Sequence, residues 1–264
     1  MAGGAGSGKG HVLKNVLLFD GKTFNVDDLK EKLVKLSIAK PNNKFNTLFK
    51  NKFGYDLSKL NFKDGNQVKD LHFFIKSLGL PEAEKLAFFA SVKHLHEKPN
   101  VIFDVTLDDP TKIKSLSYYA NLGGYNSLNI NLVWVLTNIE VAKTQNKARS
   151  RSVPEELLVS THEGAALTMF ELMANAEKYS QYIDGDFWIV FNTANIDSRV
   201  IPTHSTGISG KDSKSVLHVD PKVVDGHRGY LALHLKERGK RCKHFGDIEL
   251  ELRRKILSYV PKSV

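Results

Sequence analysis

Cysteine is nearly absent from this chain: the 264 residues include only Cys242. A single cysteine cannot form an internal disulfide, and it does not supply a cysteine-based metal site. No stretch reaches the roughly 18 consecutive apolar residues that a membrane-spanning helix needs. The opening residues Met-Ala-Gly-Gly also lack the apolar segment of a secretory signal. These absences predict a protein of the cytoplasm, a reducing compartment, with no membrane partner.

Acidic residues are outnumbered by basic ones. The 38 lysines and arginines against 29 aspartates and glutamates give a net charge of +9 at pH 7. A basic surface attracts polyanions such as nucleic acid, but a lysine-rich solvated surface produces the same balance. The 10 histidines show no HxxxH or HExxH spacing, so the sequence offers no case for a zinc site.

Short, almost wholly apolar runs alternate with helical patterns along the middle of the chain. The runs cover residues 100–105, 130–136 and 187–191, which is typical of strands buried on both faces. Helices are predicted at residues 111–122, 138–148 and 154–182. Strands that alternate with helices predict an α/β fold, with a parallel sheet and helices on both faces.

Two regions differ in composition from this α/β pattern. Residues 41–98 are rich in lysine and aromatic residues, and they are predicted to form a helical insertion within a core at residues 1–196. Residues 197–264 are predicted to form a C-terminal extension. It comprises a polar loop to residue 225, a basic run at 236–243 and a final helix at 248–260.

The stretch GGAGSGKGH at residues 3–11 carries the clearest chemical signal. It matches the pattern GxxxxGK of a phosphate-binding loop, in which glycines let successive N–H groups point at phosphate. The helix that follows adds a favourable dipole, and Lys9 is placed to contact the β- and γ-phosphates. Gly10 stands where most such loops carry a Ser or Thr that binds Mg²⁺. The alternative of a random glycine-rich tail is disfavoured, because an apolar helix follows at once.

Only Met1 and Ala2 precede this loop, whereas a phosphate-binding loop normally follows a central β-strand. We therefore expect Met1 to be an internal methionine, with the first strand encoded upstream. If the chain starts at Met1, we expect a poorly anchored loop and reduced stability.

Further motifs follow the loop in order: NVDDLK at 25–30, VIFDVT at 101–106, GGYN and NLVWVLT within 123–137, and QNKARSRSVP at 145–154. Together with GGAGSGKG they resemble the zeta-toxin-like P-loop kinases, in particular phage-encoded members that phosphorylate 5-hydroxymethyluracil bases in DNA. The resemblance covers residues 3–191. It implies a P-loop kinase with ATP and Mg²⁺ as cofactors, acting in the host cytoplasm if the gene belongs to a phage.

The resemblance also implies roles for individual residues. Asp27 would be the base that activates the acceptor hydroxyl, with Asp28 as the adjacent alternative. Arg149 and Arg151 would be lid arginines that close over the triphosphate. Asp104 and Thr106 would lie at the metal ion. The ATP phosphates would be bound by the loop, which consists of Gly3, Gly4, Ala5, Gly6, Ser7, Gly8, Lys9, Gly10 and His11.

The residues themselves leave other readings of these positions open. Asp27 or Asp28 is also well placed to cap a helix that begins there. Arg149 and Arg151 could equally be plain surface charges. Asp104 directly follows an apolar strand, where a carboxylate is costly unless it is paired or bound to metal. The family often has an arginine near Gln145 and Asn146, so one phosphate contact is lost here.

Three kinds of acceptor remain open. A hydroxymethylated pyrimidine in DNA is favoured by the net charge, by the basic run at 236–243 and by residues 253–255. Aromatic residues could stack a flipped base, although their spacing better suits a helix with a buried face. They are Phe45, Phe49, Phe53 and Tyr55. A small metabolite, either a UDP-amino sugar or a nucleotide, is the second acceptor. The third possibility is a nucleotide-binding interaction module with no acceptor.

Overall fold

The structure is a computed structural model, and it describes residues 1–17, 19–149, 153–192, 223–224, 227–228, 232–262 and 264. The fold is mixed α/β, as the alternation of patterns predicts. The helices are α1 (Lys9–His11), continued by a π-helical segment (Val12–Val16), α2 (Val26–Ala39), α3 (Lys44–Phe53), α4 (Gly65–Ser77), α5 (Leu80–Val92), α6 (Thr111–Leu122), α7 (Ile139–Ala148), α8 (Glu155–Ala174), α9 (Ala176–Tyr179) and α10 (Leu250–Tyr259). The strands are β1 (Lys22–Phe24), β2 (Val101–Phe103), β3 (Leu132–Thr137), β4 (Phe187–Asn192), β5 (Val223–Val224), β6 (His227–Arg228) and β7 (Ala232–Lys236).

Parallel pairing dominates the described sheets. β1 runs parallel to β2, and β3 runs parallel to β4 with Trp134 opposite Ile189. β7 adds to the other edge of β4 in the antiparallel direction, and β5 and β6 form a separate antiparallel pair. The prediction of an α/β fold with a parallel sheet is therefore confirmed.

Residues 1–3 join the two parallel pairs. Ala2 forms a parallel bridge to Trp134 of β3, with its N–H donating to the Val133 carbonyl at 2.7 Å. On the other side, the Met1 nitrogen donates to the Phe103 carbonyl of β2 at 3.0 Å. The spatial order is thus β1, β2, residues 1–3, β3, β4 and β7. The loop at residues 3–11 therefore does follow a short central strand segment, hydrogen-bonded on both sides. This pairing corrects the expectation of a poorly anchored loop.

Helices cover both faces of the sheet because side chains alternate along its strands. Trp134 points to one face, where it packs with Met169 of α8 and Ile256 of α10. Val135 points to the opposite face and packs against Val12, in the turn after α1. The alternation, with both faces covered, explains why β3 is apolar from Leu132 to Leu136. No helix among the described residues is long and apolar enough to cross a membrane.

The region predicted as a helical insertion contains α3, α4 and α5. With α2 it has its own hydrophobic cluster, in which Phe49 is completely buried and Phe45, Phe53 and Tyr55 pack around the centre. The rings of Phe49 and Phe74 meet edge to face, with centroids 5.2 Å apart. These aromatic residues therefore serve the core, and they do not form a surface for stacking a base.

The described end of the chain packs against the sheet. Leu252 and Ile256 of α10 are buried in the same cluster as Trp134. Lys236, in the predicted basic run, is also buried, and its ammonium lies 2.7 Å from the Asp184 carboxylate. That lysine is therefore held within the protein, which corrects its assignment to a surface that contacts DNA. Residues 197–222 of the predicted loop lie outside the described residues, whereas Val223 and Val224, which were also predicted to lie in it, form strand β5. The division at residue 196 stays a prediction.

The long helix predicted at residues 154–182 is divided in two. Asn175 has φ −125° and ψ 36°, which are not helical angles, and it separates α8 from α9. Its side chain donates a hydrogen bond to Glu171 Oε2 at 2.9 Å. Asparagine readily satisfies such local hydrogen bonds outside regular helical geometry, which explains the break.

Candidate functional site

The loop after residue 3 turns sharply because its glycines adopt backbone angles that other residues rarely reach. Gly6 has φ 73° and Gly8 has φ 82°, both in the left-handed region. Their N–H groups donate no hydrogen bond to any described residue. Lys9 begins α1 directly after Gly8. The loop therefore presents free N–H donors beside a lysine, an arrangement suited to an anion.

Close packing also explains the glycines. A β-carbon on Gly4 would lie 2.1 Å from the ring of His162, and one on Gly8 would lie 2.1 Å from Asn192 Nδ2. Gly10 differs, because a β-carbon there would meet nothing within 4 Å. The position that carries Ser or Thr in most phosphate-binding loops thus has room for a side chain.

Lys9 folds back over its own loop. Its ammonium donates to the carbonyl oxygens of Gly3 at 2.8 Å and Gly4 at 3.3 Å, and it lies 3.9 Å from Asp104 Oδ1. Burial lowers the pKa of Lys9, and the Asp104 carboxylate acts in the opposite direction. His11, at the other end of the predicted ATP-binding stretch, is exposed.

Asp104 stands at the end of β2, between the loop and the start of α2. Its Oδ2 accepts a hydrogen bond from Asn25 Nδ2 at 2.8 Å. Its Oδ1 is buried and has no hydrogen-bond partner among the described residues. Thr106 lies alongside, with its carbonyl accepting from the Gly3 N–H at 3.1 Å. The structure therefore brings both predicted metal-site residues next to the loop.

Asn25, and neither Asp27 nor Asp28, caps helix α2. The side-chain oxygen of Asn25 accepts from the Asp27 N–H at 2.8 Å, in the usual geometry of an N-cap. This corrects the alternative in which one of the two aspartates is the cap. Asp27 instead pairs with the buried Lys30, whose ammonium lies 2.9 Å from Asp27 Oδ1.

Asp28 sits beside other carboxylates. Partial burial raises the pKa of Asp28, and Glu31, Asp104 and Asp27 add to this effect while Lys32 opposes it. A carboxylate with a raised pKa is suited to accept a proton near neutral pH. Both candidate bases lie on the first turn of α2, and Asp28 is near enough to Asp104 to be influenced by its charge.

Arg149 directly follows α7 and is exposed. The positive charge of Arg149 lowers the pKa of Lys9. Its effect is smaller than those of burial and of Asp104. The Lys63 ammonium of the helical insertion contacts the Arg149 carbonyl. Arg151, the second predicted lid arginine, lies outside the described residues.

Asn146, near the end of α7, has a structural role. Its Oδ1 accepts from the Val153 N–H at 3.0 Å, and its Nδ2 donates to the Val153 carbonyl at 2.8 Å. The side chain thus holds the two ends of the segment that carries Arg149 close together.

Two adjacent residues of α8 hold the backbone N–H and carbonyl of Ala5, which belong to successive peptide groups. The Ala5 N–H donates to Thr161 Oγ1 at 3.1 Å, and His162 Nε2 lies 2.8 Å from the Ala5 carbonyl oxygen. Burial lowers the pKa of His162, so the ring is neutral at pH 7. A carbonyl only accepts hydrogen bonds, so Nε2 carries the proton.

Two strand ends hold the Ser7 carbonyl. Thr137 Oγ1, at the end of β3, donates to it at 2.7 Å, and Asn192 Nδ2, at the end of β4, donates at 2.8 Å. The sequence patterns predict none of these four side chains, which are Thr161, His162, Thr137 and Asn192. The available signal was that Thr137 and Asn192 are the polar residues that end two apolar runs.

His72 of α4 lies near the first turn of α2. Burial lowers the pKa of His72 to about 4, and Lys30, Lys76 and Lys112 act in the same direction while Asp27 opposes them. Its ring is therefore neutral at pH 7.

No protein-family model matches the sequence, and a search of curated proteins found no match. A solved structure described as the crystal structure of AvrRxo1-ORF1:-ORF2 with ATP contains a chain that is similar to this one, with 12% sequence identity and a TM-score of 0.46. The similarity covers 72% of this chain and 53% of that chain, so this chain spans about half the length of that protein. A similarity at this identity and TM-score does not indicate the activity of this chain.

Proposed function

We propose that this chain is an ATP-dependent phosphotransferase whose donor site is the loop at residues 3–11. The observation that carries the proposal is the loop itself: free N–H groups at Gly6 and Gly8, with the Lys9 ammonium 3.9 Å from Asp104. Phosphoryl transfer requires that charge on the γ-phosphate be positioned and neutralised, more than it requires covalent chemistry. These groups supply both requirements.

On the donor side, Lys9 would exchange its contacts with the Gly3 and Gly4 carbonyls for the phosphates of ATP. A bound triphosphate would favour the charged ammonium, which burial otherwise disfavours. We propose that Arg149 contacts the triphosphate. On the evidence of the sequence alone, we propose the same role for Arg151. Arginines that close over a triphosphate exclude water, which would otherwise hydrolyse ATP.

On the acceptor side, Asp27 would orient the acceptor hydroxyl and take its proton as the new bond forms. Its pairing with Lys30 holds the carboxylate in place on the first turn of α2. Asp28 is the alternative base, supported by its raised pKa. Substitution of each aspartate in turn distinguishes the two candidate bases.

The residues fit a bound Mg²⁺. The ion commonly uses one or two carboxylates together with phosphate oxygens and water, and Asp104 has a buried Oδ1 with no described hydrogen-bond partner. Asp104 would hold the ion, with Thr106 beside it. When bound, Mg²⁺ would neutralise charge on the phosphates. Gly10 offers no hydroxyl, so this loop would rely on Asp104 and water.

The acceptor we propose is a hydroxymethylated pyrimidine in DNA, which the net charge of +9 favours. A small metabolite, a UDP-amino sugar or a nucleotide, is the second candidate. It is favoured by the burial of Phe49 and Lys236, two residues that a DNA-binding surface would expose. A nucleotide-binding interaction module without an acceptor is the third candidate.

Incubation with γ-labelled ATP tests the proposal. The assay compares three acceptors in parallel: hydroxymethyluracil DNA, UDP-amino sugars and nucleoside monophosphates. Lys9→Ala is the variant expected to be inactive. Lys14→Ala, which changes an exposed lysine, is the matched control. We expect label in the DNA for the wild type and Lys14→Ala, and none for Lys9→Ala. Label in a UDP-amino sugar or a nucleotide, and none in the DNA, would show that the acceptor is a small metabolite. Label in none of them, with ATP still bound, would identify the interaction module.

A further inference from the structure

The four side chains that bind loop carbonyl and amide groups of residues 5 and 7 suggest a role beyond packing. We propose that His162, Thr137 and Asn192 are positioning residues that hold two loop carbonyls away from the anion site, so that the loop N–H groups face the phosphates. The inference rests on the proposed function of the loop. None of the three side chains is assigned to contact ATP.

The electrostatic reason is simple. A carbonyl oxygen carries partial negative charge and repels phosphate, whereas an N–H group attracts it. In a loop this tight, a peptide group can rotate and exchange one for the other. The Ala5 and Ser7 carbonyls are both occupied by donors, at 2.8 Å from His162 and at 2.7 and 2.8 Å from Thr137 and Asn192. Their rotation toward the site would break these bonds.

Hydrogen-bond directions support the argument. Thr161 Oγ1 donates its proton to the Leu158 carbonyl at 2.7 Å, so toward Ala5 it can only accept. His162 can only donate to Ala5, as its partner is a carbonyl. The Gly4–Ala5 peptide group is therefore held at the Ala5 N–H, and the Ala5–Gly6 peptide group is held at the Ala5 carbonyl. The Gly6 N–H shares its peptide group with the Ala5 carbonyl, and the Gly8 N–H shares its peptide group with the Ser7 carbonyl. The hydrogen bonds to the two carbonyls therefore set the directions of both N–H groups, neither of which donates to a described residue.

Burial makes these hydrogen bonds hard to replace with water. Thr137 is 0% exposed, Ser7 is 1% exposed and His162 is 5% exposed. A buried carbonyl that loses its donor stays unsatisfied or rotates to find another partner. Rotation of the Ser7–Gly8 peptide group would also turn the Gly8 N–H away from its present direction. The glycines at positions 4 and 8 allow His162 and Asn192 to approach this closely.

Two matched pairs of variants test the inference. Thr137→Val removes the hydroxyl that donates to Ser7. Thr168→Val is its control, because Thr168 is equally buried and its hydroxyl has no hydrogen-bond partner among the described residues. His162→Leu removes the donor to Ala5, and His162→Gln supplies an N–H at a similar distance from the backbone. Thermal unfolding of each variant confirms that it folds.

The readout is the affinity for ATP and for inorganic triphosphate, measured by calorimetric titration. We expect Thr137→Val and His162→Leu to weaken both ligands by about three- to tenfold, the loss typical of one hydrogen bond. We expect Thr168→Val to bind as the wild type does and His162→Gln to recover most of the affinity. In activity assays the loss should appear in KM for ATP more than in kcat.

The outcomes separate the two claims. If the wild type binds neither ATP nor triphosphate, the proposed function and the positioning role both fail. If the wild type binds ATP but Thr137→Val and His162→Leu bind it equally well, the positioning role alone is wrong. An equal loss in Thr137→Val and Thr168→Val would also overturn it, because the cause would then be core packing.

Discussion

At the scale of single residues, the two aspartates at the start of α2 differ in their surroundings. Asp27 pairs with Lys30, whereas Asp28 lies among other carboxylates. Asp27→Asn keeps the shape of the side chain and removes its ability to accept a proton. We expect kcat to fall by about 10²- to 10⁴-fold while ATP affinity stays unchanged.

Asp28→Asn is the matched control, one residue along the same turn. Single-turnover transfer from labelled ATP, with ATP affinity measured beside it, distinguishes the variants. Near-full activity in Asp27→Asn, with activity lost in Asp28→Asn, would reassign the base to Asp28.

The loop glycines give a second prediction at the residue scale. Gly8→Ala places a β-carbon 2.1 Å from Asn192 Nδ2, at a residue with φ 82°. We expect it to destabilise the fold by roughly 1–3 kcal/mol and to weaken ATP binding at least about tenfold. Gly10→Ala, where a β-carbon meets nothing within 4 Å, should change neither. Thermal unfolding and ATP titration of the pair test this, and equal behaviour of the two variants would contradict the loop geometry.

At the scale of elements, His72 couples α4 to the start of α2. Its pKa is lowered to about 4 in the folded state, against 6.5 in an unfolded chain. Between these values the unfolded chain binds a proton that the folded chain does not. The free energy of unfolding should therefore decrease as pH falls from 6.5 to 4, and this contribution should stay constant outside that window.

Because the ring is partly exposed, we expect the decrease to be roughly 1–2 kcal/mol. His72→Gln should remove this part of the pH dependence, whereas His94→Gln, at an exposed histidine, should keep it. Urea unfolding at several pH values measures the slopes. Identical slopes for the wild type and His72→Gln would show that the ring does not titrate as described.

The elements also show how far the sequence could lead. Strands β2, β3 and β4 were predictable because each contains a short apolar run. Lys9 was proposed from the GxxxxGK pattern, Asp104 from its place after an apolar run and Asp27 from the family resemblance. The cap of α2 was not predictable, because Asn25, Asp27 and Asp28 are all good capping residues and the choice depends on where β1 ends. Asn192 binds a carbonyl that lies 185 residues away, a contact that no local pattern encodes.

At the scale of the whole molecule, residues 1–3 connect two parts of one sheet. A cavity of about 480 Å³ lies beside Met1, flanked by Val101 of β2 and Val133 of β3. An apolar extension fused before Met1, such as Lys-Val-Ile-Val, would extend the ladder between these strands. We expect Tm to rise by roughly 3–8 °C, because a few new hydrogen bonds each contribute about 1 kcal/mol.

A Gly-Ser-Gly-Ser extension of the same length is the control, and it should leave Tm unchanged. Differential scanning calorimetry compares the two fusions with the original chain. An apolar extension with no effect on Tm would mean that the cavity does not accommodate a strand.

The central claim is that the loop at residues 3–11 binds nucleotide phosphates through its backbone. The most direct test follows the amide signals of Gly6 and Gly8 by NMR in ¹⁵N-labelled protein during titration with ATP. The account predicts that both signals shift in a saturable way, and that Lys9→Ala weakens the response. ATP binding that leaves both signals unmoved, or no binding at all, would contradict it.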